Sequence, residues 1–95
     1  MMSKSIISNE KVCLICKTPL DLHRHHIFYG TANRTKSERF GCWVYLCARH
    51  HNMSDDGVHF NRDFDRELKK LGQHAWEHTY GTREDFIHEF GRNYL

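Results

Sequence analysis

From Leu22 to Phe28 the chain alternates with a period of two, but histidine stands at positions of both parities, so the segment reads as a strand whose two faces are both occupied by polar chemistry. Trp43 to Leu46 is a second β-rich run and ends at Cys47. Between them, Tyr29 to Gly41 carries Gly30, Asn33, Ser37 and three basic residues with no apolar rhythm. A loop is expected there, with the two strands pairing across it as an antiparallel hairpin. After Cys47 the pattern turns helical for about two turns and is broken by Ser54-Asp55-Asp56-Gly57. A longer helix is expected from Asn61 as N-cap, with Phe60, Phe64, Leu68, Leu71 and Ala75 recurring at spacings of three and four as an apolar stripe. Tyr80-Gly81 stops it. Thr82-x-x-Asp85 then reads as a capping box opening a last helix, with Phe86, Ile87 and Phe90 inward and Gly91 at its end. Residues 1–11 read as a loose tail and 12–95 as one domain, divided into a core over 12–60 and a helical part over 61–95.

Length changes this picture, because 95 residues leave no room for a second core and a domain this short often needs a staple. The cysteines suggest which one. Cys13-x-x-Cys16 followed some thirty residues later by Cys47-x-x-His50 supplies four ligands in the number and spacing of a closed tetrahedral zinc site. The alternative, two disulfides in a secreted protein, would call for a signal peptide, and MMSKSIISNEK holds no apolar run of that kind. No stretch approaches the roughly twenty apolar residues of a membrane span. A reducing cytoplasm with free thiols is therefore expected. Cys42, too far from Cys47 to complete a CxxC pair, reads as a small buried residue.

Both histidine doublets, His25-His26 and His50-His51, lie in or beside that zinc frame. Closing it should bring His25, His26 and His51 together, and imidazoles converging on a second, open metal position suggest catalysis. Charge points the same way. Residues 1–52 carry eight Lys or Arg against three acids, and residues 53–95 six against nine, so the histidine-bearing half is the basic half. Arg24, Arg34, Lys36, Arg39 and Arg49 are the candidates for phosphate contacts with a nucleic acid. His23, His74, His78 and His88 read as surface residues, and Trp43 and Trp76 as core.

The order CxxC, His-His-Ile at the end of a strand, a second strand running into CxxH-His, then a helix resembles the HNH nucleases, also called the ββα-metal or His-Me finger family. The nearer likeness is to the small phage and mobile-element type with a zinc knuckle, and it covers about residues 13–60. The resemblance implies an α+β fold: a zinc-stapled β-hairpin plus helix, followed by two C-terminal helices. It also implies a metal-dependent DNA endonuclease leaving 5′-phosphate and 3′-hydroxyl ends. By the same resemblance Cys13, Cys16, Cys47 and His50 hold structural zinc, His50 standing where the family has a cysteine. His25, His51 and His59 would hold a catalytic divalent ion (Mg, Mn, Ni or Zn), with His26 as general base. His59 follows His51 by eight residues, where nuclease colicins use four. Cys42 and Trp43 occupy the region of the family's asparagine, which leaves a backbone carbonyl as the expected partner orienting His26. The rival reading is a non-catalytic zinc module that binds nucleic acid or protein on the same fold.

Overall fold

The two β-rich runs do pair. In a computed structural model describing residues 4–53 and 57–95, β1 (Leu22–His26) runs antiparallel to β2 (Trp43–Cys47), with Leu22 opposite Cys47 and His26 opposite Trp43. Alternation along each strand puts His23, His25, Val44 and Leu46 on one face and Arg24, His26, Trp43 and Tyr45 on the other. Strand pairing therefore already separates His25 from its neighbour His26.

The segment between the strands is a helix, not the loop its composition suggested. α1 spans Thr31–Phe40 and buries only Ser37, which is why no apolar stripe announced it. Its stability comes from polar contacts that reach far along the chain. The Ser37 hydroxyl donates to the Phe28 carbonyl at 2.6 Å and accepts from the Phe28 N–H at 3.1 Å, satisfying both backbone groups of one residue. Asn33 donates to the Phe90 carbonyl, Lys36 donates to the Glu89 carbonyl, and Arg39 pairs with the Glu89 carboxylate at 2.8 Å. A basic, amide-bearing helix thus caps the C-terminal end of the last helix, where free carbonyls and the negative end of the dipole gather.

Gly41 ends α1 in the left-handed region at φ 76°. A Cβ there would lie 2.1 Å from the Lys4 carbonyl oxygen, so the amino-terminal segment packs directly on this turn. The loose tail expected over 1–11 is accordingly corrected for its described part. Ser5 is buried and its hydroxyl donates to the Trp43 carbonyl, while the Ile6 N–H bonds to the Gly41 carbonyl.

Beyond β2 the chain makes a π-helical turn, Arg49–Met53. Most of the Ser54-Asp55-Asp56-Gly57 break expected next lies outside the described residues. α2 (Arg62–Thr79) starts as read, with the Asn61 side chain accepting from the Phe64 N–H. Its buried face is shifted from the expected stripe: Leu68, Gly72, Gln73 and Trp76 point inward, while Phe60 and Leu71 are exposed. The cause is Gly72. A Cβ there would sit 3.1 Å from both the Ile27 and Phe28 side chains, so α2 crosses the end of β1 at its glycine. α3 (Arg83–Phe90) opens with the Thr82/Asp85 capping box, both bonds formed, and ends at Gly91. Phe86 and Phe90 are buried as expected, and Ile87 is exposed instead.

The core lies beneath the end of β1. Phe28 meets Phe86 and Phe90 with ring centroids 5.2 and 4.7 Å apart, Trp76 closes on Phe86, and Ile27, Val44, Leu46, Val58 and Leu68 fill in around them. Full burial of each large apolar side chain contributes roughly 1.5–3 kcal/mol. Phe28 follows His25 by three residues, so this aromatic cluster anchors the strand end that carries the histidines. Among the described residues no helix is long and apolar enough to cross a membrane.

Candidate metal centres

Four side chains from three places in the chain converge beside the hairpin. Cys13 and Cys16 come from the turn before β1, Cys47 from the last position of β2, and His50 from the π-helical turn. Their ligand atoms all lie within 4.8 Å of one another. The Cys16 and Cys47 sulfurs are 3.7 Å apart, and the His50 Nδ1 is 3.7 Å from the Cys13 sulfur and 3.2 Å from that of Cys47. Zn–S bonds of about 2.3 Å at a tetrahedral angle require sulfurs about 3.8 Å apart, so the cage is already of the size such an ion needs. Burial pushes the Cys13 thiol up, but backbone groups of Cys16, Cys47 and Ile15 and the Cys16 side chain outweigh it and bring it down to about 6. A thiolate at that position is what a metal such as zinc binds. Cys42 stands apart, fully buried in the core with its thiol pushed up to about 12 by burial. Its reading as a packing residue holds.

A second cluster includes His51, the residue that follows His50 of the first. His25, His51 and His59 bring ring nitrogens within 4.8 Å of one another, with ring centroids 4.6 to 5.3 Å apart. The Nε2 atoms of His51 and His59 are 3.0 Å apart. Nitrogen ligands at about 2.0–2.1 Å from a metal are about 2.9 Å apart at right angles and about 3.3 Å apart in a tetrahedron, which brackets the observed spacing. His25 adds the sharper test: it is 2% exposed and its Nε2 is buried without a hydrogen-bond partner among the described residues. A buried imidazole nitrogen left bare is costly unless something outside the protein binds it. Burial first, then the facing His51 and His59, push His25 down to about 3. Burial, then His59 and His23, push His51 down to about 4. Both are neutral at pH 7, as ligands must be.

The eight-residue interval to His59 has a simple structural basis. The Val58 N–H bonds to the His50 carbonyl at 2.8 Å and the His59 N–H to the His51 carbonyl at 3.2 Å, so the chain returns over the π-helical turn and sets His59 against His51.

These three histidines share a cleft of about 290 Å³ with Arg24, His26, Tyr29 and Arg34. His26 and His25 reach the same cleft from opposite faces because β1 ends at His26. Where a backbone carbonyl was expected beside His26, the structure has a carboxylate: the His26 Nε2 donates to Glu38 Oε1 at 2.8 Å, and Glu38 Oε2 accepts from Arg24 at 2.7 Å. His23 is also placed differently from the surface position expected of it. It is half-buried, and its Nδ1 lies 2.8 Å from the Nδ1 of His51. Its position two residues before His25, on the same strand face, was the signal available in sequence. Glu38 had none, because α1 itself was invisible.

The five basic residues do not form one surface. Arg24 and Arg34 line the histidine cleft, Arg24 paired to Glu38 and stacked 3.7 Å above the Trp43 ring. Arg34 makes no ion pair among the described residues. Lys36 and Arg39 are turned to Glu89, and Arg49 lines a different pocket with Ile15, His50, Asn61 and Phe64. Comparison with family models, with curated proteins and with solved structures gives no match.

Proposed function

We propose that the chain is a metal-dependent DNA endonuclease of the HNH type, in which Cys13, Cys16, Cys47 and His50 hold a structural zinc and the histidine cleft cleaves phosphodiester bonds. The observation that supports this most directly is the open three-histidine cluster with a fourth, non-ligating imidazole, His26, in the same cleft. Three protein ligands leave coordination positions free, the arrangement of a catalytic rather than a structural site. His25, His51 and His59 would hold a divalent ion, which when bound would supply Lewis-acid stabilisation of charge developing on the phosphate and its leaving oxygen. His26 takes a proton from the water that attacks phosphorus in line, and the 3′ oxygen departs. Arg34 neutralises a flanking phosphate from the rim. A zinc module with no catalytic task has no use for a buried, unpartnered His25 nitrogen beside a separately held His26.

The test is strand scission of supercoiled plasmid by purified protein with Mg, Mn, Ni or Zn, beside His26→Ala. Wild type should nick and leave 5′-phosphate and 3′-hydroxyl ends, and His26→Ala should lose about a hundredfold or more in rate while keeping both metals. No cleavage with any ion refutes the assignment and leaves the binding module, whereas wild-type cleavage by the variant refutes His26 as the base.

A further inference from the structure

We propose that Glu38 is the positioning residue for His26, selecting the ring tautomer that leaves Nδ1 as the lone-pair nitrogen. This rests on the nuclease reading above only in calling His26 the base. The geometric argument is independent of it. An ionised carboxylate can only accept hydrogen bonds, so the His26 nitrogen 2.8 Å from Glu38 Oε1 must be an N–H. In a neutral imidazole the other nitrogen, Nδ1, is then the acceptor, and it has no partner among the described residues. Bonds from His26 and Arg24 hold the Glu38 carboxyl below its usual range despite the opposing effect of burial, so it remains an acceptor at neutral pH.

Glu38 is itself held from several directions. Its second oxygen is taken by Arg24, whose guanidinium is stacked on the buried Trp43 ring. The preceding residue, Ser37, is fully buried and bonded to both backbone groups of Phe28. These contacts tie α1 to the end of β1, where His26 sits. The His26 side chain is 14% exposed and that of Glu38 32%, so the imidazole is the more shielded partner of the bond. A ring fixed in this way presents one nitrogen in one direction, which is what a base acting on a placed water requires.

The experiment compares wild type, Glu38→Gln, Glu38→Ala and His26→Ala in plasmid nicking, together with ring-nitrogen NMR of His26 in the zinc-loaded protein. Wild type should show the lone-pair signature at Nδ1 and the protonated signature at Nε2. Glu38→Ala should lower kcat about ten- to a hundredfold with KM and metal content unchanged, and its ring should lose the single-tautomer signature. Glu38→Gln should recover part of the rate, because its amide oxygen still accepts from Nε2–H. A lone pair on Nε2 in wild type, or an unaltered ring signature in Glu38→Ala, overturns the proposal. So does wild-type kcat in both variants. Should Glu38→Ala fail to fold, the wild-type spectrum and Glu38→Gln decide it. If wild type does not cleave at all, the nuclease reading falls while the NMR result still judges the Glu38 bond.

Discussion

The Nδ1 of His51 lies 2.8 Å from the Nδ1 of His23, and the nitrogen His51 turns toward His59 is its Nε2. One imidazole therefore dictates which end of another is left for a metal, the role that carboxylates and carbonyls play behind most metal-bound histidines. His23→Ala should weaken the second metal by about 10–100-fold and leave the cysteine site intact. Cobalt titration followed by absorbance separates the two, since only the cysteine site gives thiolate charge-transfer bands. Unchanged affinity at the histidine site would show that the His23 bond is incidental.

Removal of the first metal should be felt by the whole fold. Cys16→Ser should lose zinc and cooperative unfolding, because apparent zinc affinities of about 10–16 kcal/mol in small modules are folding free energy. Cys42→Ala should keep one zinc per chain and cost only about 1–2 kcal/mol of packing. Elemental analysis and thermal melts check both. A Cys16→Ser protein with wild-type circular dichroism and melting temperature would end the structural role.

The distribution of ion pairs predicts a split among the basic residues. Arg34→Ala should reduce DNA affinity and lower the salt slope by about one. Arg39→Ala removes a surface pair to Glu89 and should change stability by about 0–1 kcal/mol with little effect on the slope. Binding isotherms between low and moderate salt distinguish these, and an equal effect of the two variants would move the nucleic-acid face onto α1 as a whole.

Acid should act through Glu38. Its folded-state carboxyl is held below its ordinary value of 4.5, so its contribution is complete above that value and is lost as pH falls through the lowered folded-state value. The difference in melting temperature between wild type and Glu38→Gln should be largest above about pH 5 and shrink toward more acid conditions. A difference that grows on acidification would mean the carboxyl is not stabilised by Arg24 and His26.

Local signals carried much of this fold and distant ones carried the rest. The hairpin, the Asn61 cap, the Thr82/Asp85 box and the Cys13, Cys16, Cys47 and His50 cluster were legible because each depends on residues close in sequence or on ligand spacing, whereas the grouping of His59 with His25 and His51 was expected only from the family resemblance. α1 was not legible, since Ser37 reaches Phe28 and Asn33, Lys36 and Arg39 reach α3 across fifty residues or more. Everything that depends on α1 was hidden with it, including the partner of His26. The inward face of α2 was misplaced for a related reason: helical periodicity favours large apolar residues, whereas the closest approach to β1 is made at Gly72.

His50 and His51 are consecutive, yet they face different clusters, and the carbonyls of these two residues receive the backbone bonds that bring Val58 and His59 back. Fixing His50 therefore prepays the ordering cost of His51 and His59. The two sites should fill in sequence, zinc before the catalytic ion, with the affinity of the second conditional on occupancy of the first and the coupling equal in both directions. Under the nuclease reading proposed above, activity would then track zinc supply as well as the concentration of the working metal.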